Sequence, residues 1–284
     1  MNSNLHSMSL KMRCPACASF GATPFFDGGR QPIATLGWPE SSEQAKNMKR
    51  LPLSFVSCAN CGHVFNEDFR YEEVPYANNP NRMYNASAGW VQHLNEMMDA
   101  LVSGLGTNPV VVEIGCGAGL FLQGIAKRIG AGRYVGFDPN GDATSINSLI
   151  EFRQELFDPL QHCAEIEPDL IICRHVVEHI TEPLKLFQPI ARMAELANKP
   201  LQIFVEVPCI DAVLESLRIS DFFYEHISNF TSDSFRCFLQ SLGGDIRYLK
   251  KGYGGEVVYA LTEVTALPHS YTRAAFQFHS SVSG

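Results

Sequence analysis

The stretch that most constrains this chain is Val110 to Phe121, which reads VVVEIGCGAGLF. Three apolar residues lead into Glu113, and Gly115, Gly117 and Gly119 follow at every second position. Beyond them Leu120, Phe121, Leu122, Ile125, Ala126 and Ile129 recur at helical spacing. An unbroken apolar run is the pattern of a parallel strand covered on both faces. The glycines permit a tight turn with positive φ and leave no Cβ between backbone and ligand. The helix behind the turn starts with unpaired N–H groups, which suit a carboxylate or phosphate.

Spacing separates two readings of this turn. A dinucleotide loop requires G-x-G-x-x-G, and Leu120 stands where its third glycine belongs. The chain offers E-x-G-x-G-x-G instead, then a second strand, Arg133 to Phe137, ending in Asp138. That acid follows at about the 20-residue interval at which a βαβ unit places a ribose-binding carboxylate. Together these residues resemble motif I of the class I S-adenosylmethionine-dependent methyltransferases, with Asp138 matching the ribose acid. The resemblance covers roughly Tyr84 to Val264. It implies a Rossmann-like α/β sheet with helices on both faces. It also implies S-adenosylmethionine as cofactor, held around Glu113, Gly115, Cys116, Gly117, Gly119 and Asp138.

The rest of that span alternates as an α/β domain should. A helix is expected from Ser87, through Trp90, Leu94, Met97, Met98 and Leu101, to the glycines near Gly104. It would lie over the cofactor cleft, with Tyr84 just before it. Further expected elements are a short helix over Ser145 to Ile150 and a strand or loop over Phe152 to Phe157. A fourth strand over Leu170 to Cys173, helices over Val176 to Ile180 and Pro183 to Ala197, and a fifth strand over Leu201 to Val207 follow. Ligands of such sheets sit beyond the carboxyl ends of the strands. Glu113, Asp138 and the Arg174–His179 segment should therefore ring one crevice, with Arg174 among the cofactor's neighbours. The resemblance further places Leu156 against the adenine. Glu206 interrupts the fifth strand near its carboxyl end, where a buried carboxylate needs a partner; an ion pair at the rim is the plainer expectation.

The first part of the chain reads differently. Cys14-Pro-Ala-Cys17 and Cys58-Ala-Asn-Cys61-Gly62 are two C-x-x-C knuckles. Each brings two thiolates onto one ion, and two such pairs describe a tetrahedral Zn²⁺ site with no open position, hence a structural one. Gly28, Gly29, Pro32, Gly37, Trp38 and Pro39 predict an irregular insert between them. His63 is expected as a surface imidazole, and Phe65 to Pro80 as an aromatic, acidic linker. These features divide the chain into a zinc-binding module, residues 1–80, and a methyltransferase domain, residues 81–284.

Composition narrows the setting. The 284 residues carry 45% hydrophobic and 18% charged side chains, ordinary values for a soluble globule. Without a run of 18 apolar residues or an apolar leader, no membrane span or secretory signal is expected. The net charge of −8 argues against a nucleic-acid partner, which wants a basic face. Nine cysteines do not form an even disulfide framework, so a reducing cytoplasmic compartment is expected.

One late stretch bears on chemistry. Asp221 to Thr231 reads DFFYEHISNFT, with Glu225 and His226 adjacent among aromatics that would desolvate them. This segment resembles the D-x-x-x-x-E-H segment of sugar C-methyltransferases that carry an N-terminal zinc module. His179 in VVEHI, Tyr84 in YNASAGW and the GYGGEVVYAL run from Gly252 match further positions of those enzymes. Phe223 stands in place of a family tyrosine, and Tyr253 in place of a histidine. Those enzymes also carry a second α/β domain, where this chain has a short tail after the last expected hairpin. The resemblance implies a small-molecule acceptor, with methylation at carbon of a keto-sugar or related metabolite. His226 would act as base, oriented by Glu225, and His179 and Tyr84 would hold the developing oxyanion. O- or N-methylation of a small metabolite uses the same base on a hydroxyl or amine, and ribosomal RNA is a weaker alternative acceptor.

Overall fold

A computed structural model describes residues 12–34, 36, 39–76 and 85–265. Tyr84, Gly37 and Trp38 lie outside the described residues. In chain order the elements are β1 (Ala22–Pro32), α1 (Ser42–Asn47), β2 (Arg50–Cys58), β3 (Val64–Asn66), α2 (Ala88–Ser103), β4 (Val110–Ile114), α3 (Leu120–Ile129), β5 (Arg133–Phe137), β6 (Glu151–Arg153), α4 (Pro159–Ile166), β7 (Leu170–Arg174), α5 (Pro183–Ala197), β8 (Leu201–Pro208), α6 (Asp211–Ser216), β9 (Ser228–Asn229), α7 (Ser232–Gln240), β10 (Asp245–Gly252) and β11 (Val257–Val264).

Seven strands form the main sheet in the order β10-β11-β8-β7-β4-β5-β6. β4 pairs in parallel with both β5 and β7, so the strand order reverses at β4. β11 runs antiparallel to β8 and to β10. Successive residues of the central strands feed opposite faces, as the two-residue period demands. Val111, Leu170 and Ile172 pack under α2 and α3 with Met97, Leu101, Phe121, Leu122 and Ile125. Val112, Ile114, Ile171 and Cys173 pack on the other face with Phe187 and Ile190 of α5 and Phe235 and Phe238 of α7. Each fully buried Leu, Ile or Phe contributes about 2 kcal/mol, which makes these two layers the main stabilising feature. Among the described residues no helix is long and apolar enough to cross a membrane.

The helix ends follow their residues. Ser87 caps α2 by accepting from the Trp90 N–H, and Asp158 caps α4, which opens on Pro159. Thr231 and Ser234 form a reciprocal capping box at the start of α7. Two expected helices are smaller than predicted. The Ser145 to Ile150 segment holds only a 3-10 turn, Ala143–Ser145, because the Asp142 carboxylate takes the Thr144 and Ser145 hydroxyls and the Thr144 N–H. After β7, His175 adopts φ 53° and only a 3-10 turn, Val177–His179, follows.

The insert between the knuckles is not irregular. β1 and β2 form an antiparallel pair from Ala22↔Cys58 to Pro32↔Arg50. A register shift between Asp27 and Arg30 absorbs Gly28 and Gly29 as a bulge, so the glycines bend a strand rather than break it. β3 extends this sheet and pairs on its far side with β9, from residues 228–229, giving the order β1-β2-β3-β9. Part of the expected linker is therefore strand. Phe65, Val56, Cys14 and Cys58 share one apolar cluster with α5 and α7.

Candidate active site

The glycine turn is built as its residues require. Gly115, Gly117 and Gly119 take φ of 72°, 55° and 67°. A Cβ on Gly115 would stand 2.2 Å from Val176 Cγ2, whereas one on Gly117 would meet nothing within 4 Å among the described residues. The first glycine serves close packing against the β7 loop, and the second leaves open backbone for a ligand. Gly115 and Cys116 N–H donate to the Phe137 carbonyl, which locks the turn to the end of β5. Asp138 Oδ2 accepts from Gly117 N–H at 2.8 Å and Oδ1 from Asn140 N–H at 2.8 Å. The carboxylate thus lies across the glycine turn. Cys116 is buried beside it, and burial pushes its thiol pKa up.

Glu113 is buried at the end of β4, 3% exposed. Among the described residues its Oε2 has no hydrogen-bond partner. Burial pushes its pKa up to about 7, against the pull of the nearby Arg174 guanidinium. A buried carboxylate oxygen without a donor is costly unless a cation or N–H group meets it. Open backbone at Gly117, an unmatched acid at Glu113 and a second acid at Asp138 fit a zwitterionic, ribose-bearing cofactor. Leu156, in the loop between β6 and α4, is 72% exposed at the outer edge of the sheet.

Arg174 and Glu206 are neighbours on β7 and β8. Glu206 is fully buried rather than at the rim. Its Oε1 accepts from Arg174 Nη2 at 2.8 Å and lies 2.9 Å from His175 Nε2; its Oε2 lies 2.7 Å from His93 Nε2 on α2. These donors hold its pKa well below the usual carboxylate value despite burial. The Arg174 guanidinium also lies over the Phe121 ring, 4.2 Å from its centroid. Trp90, His93 and Tyr253 form an aromatic wall beside this network.

The second cluster sits where the β7 turn meets the loop before β9. Ligating atoms of Glu178, His179 and His226 all lie within 4.8 Å of one another. The His179 and His226 rings meet edge to face at 4.8 Å, and the Phe223 ring lies 4.2 Å from His226. His179 Nδ1 is 2.7 Å from the Glu225 carbonyl, an acceptor only, so Nδ1 carries the proton and Nε2 is the basic nitrogen. Burial, helped by His179, pushes the His226 pKa down to about 3. His226 is therefore a neutral imidazole at ordinary pH. Glu178 is 1% exposed and is held below its usual pKa by His175 and the two imidazoles, against burial.

Two expectations need correcting here. The carboxylate beside His226 is Glu178; Glu225 Oε1 instead accepts from Leu36 N–H at 3.1 Å. Residues 223–226 form a turn, with His226 N–H donating to the Phe223 carbonyl at 3.3 Å, and the Glu225 carboxylate is directed to Leu36 instead of to its neighbour. His63 is fully buried, with Nε2 3.1 Å from Ser228 Oγ, and burial pushes its pKa down to about 3. Among the described residues a phenol the sequence did not single out also reaches this site, that of Tyr76, 3.0 Å from His179 Nδ1 and donating to the Glu225 carbonyl at 3.3 Å. Nothing in the local sequence separates Tyr76 from Tyr71, with which it stacks, so only the fold reveals it. Tyr224 turns away into the N-terminal sheet, its hydroxyl accepting from Arg70 N–H at 2.8 Å. A cleft of about 360 Å³ lined by Arg30, Lys49, Asp68, Arg70, Glu73 and Tyr224 shares no residue with either cluster.

The four knuckle cysteines converge. Cys14 and Cys61 sulfurs are 3.6 Å apart, Cys17 and Cys58 sulfurs 3.7 Å, and all four lie within 4.8 Å of one another. Disulfide sulfurs would stand at ~2.05 Å. A tetrahedron with Zn–S of ~2.3 Å has an edge of about 3.8 Å, so the spacing fits a zinc ion held by four thiolates. Asn60 donates its N–H to Cys58 Sγ at 3.4 Å and its side-chain amide to Cys17 Sγ at 3.6 Å, as charged thiolates require.

Residues 87–248, more than half of the chain, match the methyltransferase domain family. The chain belongs to that family. Among curated proteins it is 27% identical over 139 residues to the nonribosomal peptide synthetase kk1B of Curvularia clavata, a match covering 44% of this chain and about 1% of that protein's length. Similar solved structures include the magnesium protoporphyrin IX methyltransferase of Synechocystis PCC 6803 with bound SAH, at 15% identity and TM-score 0.46, covering 66% of this chain and 90% of the other. Human N-acetylserotonin methyltransferase in complex with SAM aligns at 18% identity and TM-score 0.46, covering 70% and 63%.

Proposed function

We propose that the protein methylates a small molecule, and that the acceptor atom loses a proton to His226 before or as it is methylated. The observation that carries this reading is a neutral, half-buried imidazole, His226, held against His179 and Glu178. When bound, S-adenosylmethionine supplies an electrophilic methyl group on a sulfonium. Glu113, the Gly115–Gly119 turn and Asp138 bind it, with Arg174 and Cys116 behind them and Leu156 at its adenine end. His226 takes the acceptor's proton, and Glu178 stabilises the imidazolium that results. His179 presents Nε2, its orientation fixed through Nδ1 by the Glu225 carbonyl and Tyr76. Phe223 and the aromatic neighbours keep water from the reacting atoms. Tyr76 supplies a phenol beside His179, and Tyr84, outside the described residues, is a second candidate phenol.

A carbon acceptor next to a carbonyl, as in a keto-sugar, suits this arrangement, because its proton must be removed before carbon becomes nucleophilic. The Cys14, Cys17, Cys58 and Cys61 thiolates hold a structural zinc ion. The net charge of −8 favours a small acceptor over a nucleic acid. The test is incubation of the protein and S-adenosylmethionine with a metabolite extract and with keto-sugars. A mass gain of one methyl, placed on carbon by NMR, supports the reading. A methylated nucleic acid with no methylated metabolite overturns it.

A further inference from the structure

The loop that carries His226 is held on both flanks by the N-terminal part of the chain. Before it, Glu225 Oε1 accepts from Leu36 N–H and the Tyr224 hydroxyl accepts from Arg70 N–H. After it, Asn66 N–H donates to the Ile227 carbonyl at 2.9 Å, and Val64 and Phe65 of β3 pair with Asn229 and Ser228 of β9. His63, the residue that leads from the second knuckle into β3, adds its Nε2–Ser228 Oγ contact at 3.1 Å and lies on Phe230 with ring centroids 4.4 Å apart.

β3 itself hangs from the knuckle. Gly62 N–H donates to the Cys58 carbonyl at 2.9 Å and Cys58 N–H to the His63 carbonyl at 2.8 Å, so the cysteine turn and β3 are one rigid piece. β3 spans three residues and β9 two. Pairs this short have little stability of their own and depend on an outside staple. The thiolate cluster is that staple, since metal binding at such sites contributes directly to folding free energy.

We propose that the four-cysteine knuckle is the positioning frame of the acceptor side: through His63 and β3 it sets the place of the 224–230 loop and hence of His226. His63 is a positioning residue, acting through Ser228. This rests on the zinc and base readings above. It gives the N-terminal module a part in turnover and none in cofactor binding, because the glycine turn, Glu113 and Asp138 are borne by β4 and β5 of the other sheet.

The test uses the full-length protein, first assayed for metal content, then stripped with a chelator. Amide hydrogen exchange is followed over residues 224–230, with β4 and β5 as internal reference, beside calorimetry with S-adenosylmethionine. Metal loss is expected to speed exchange over 224–230 on the order of tenfold, leave β4 and β5 protected and leave cofactor affinity unchanged. His63→Phe, which keeps the aromatic packing, and Ser228→Ala are expected to lower kcat with KM for the cofactor unchanged, and to keep their metal. Unchanged exchange over 224–230 after the metal leaves overturns the proposal, as does loss of cofactor binding in step with kcat. A metal-free preparation with a protected loop overturns the zinc reading and this one together. Full activity of His226→Ala overturns the base reading alone, since the exchange result does not depend on it.

Discussion

Arg174 and Glu206 stand side by side on β7 and β8, and the guanidinium donates to one carboxylate oxygen through both Nε and Nη2, at 3.1 and 2.8 Å. The other oxygen is met by His93 on α2. The pair therefore ties the strand ends to the helix that covers the crevice. Glu206→Ala leaves Arg174 and two imidazoles without their shared anion. Its expected cost is about 3–5 kcal/mol in denaturant unfolding. Glu206 is held below its ordinary pKa, so its contribution is present above ~pH 4.5 and is lost as pH falls through its folded value. The stability gap between wild type and variant should narrow below that pH.

Glu113 has the opposite sign. Its folded pKa is raised to about 7, so the folded state binds a proton more tightly than the unfolded chain, and stability falls as pH rises from ~4.5 to 7. Glu113→Gln should stabilise the apoprotein at pH 8 by at most ~3.4 kcal/mol, read as a higher melting temperature. The same variant should lose cofactor affinity. In the wild type that affinity should decline as pH drops through about 7, and calorimetry across pH 6 to 8 checks it.

His226→Ala should lower turnover by about 10²–10⁴-fold, the usual worth of a general base, with cofactor affinity retained. Glu178→Gln should follow it in kcat. Glu225→Gln should act on stability first, because its carboxylate anchors Leu36 rather than the imidazole. Comparing kcat and unfolding midpoints for the three variants separates these roles.

Gly115→Ala places a Cβ 2.2 Å from Val176 Cγ2 at φ 72°. The clash and the left-handed backbone together should cost more than ~1 kcal/mol and displace the β7 turn. A lower melting temperature with weaker cofactor binding is expected.

The parallel core was legible because its strands are short apolar runs closed by Gly, Asp or Pro, and Val110 to Phe137 folds as read. α5 runs from Pro183 to Ala197 as its pattern predicts. What periodicity hides is direction within loops. Glu225 and His226 are adjacent in sequence and diverge in space, while Glu178 reaches His226, and Tyr76 reaches His179, from distant segments. The bulge at Gly28 and Gly29 was hidden for a similar reason, since a glycine pair breaks a strand or bends it depending on what the partner strand offers. β9 pairs only two residues and its partner lies far upstream, so no local signal marks it.

The partnership of β3 with β9 has a bearing on the order of events during synthesis. More than 150 residues separate the two, so β3 leaves the ribosome long before its outer neighbour exists. Until then its free rim is a bare template for another chain's backbone, and that interval is when misassembly threatens most.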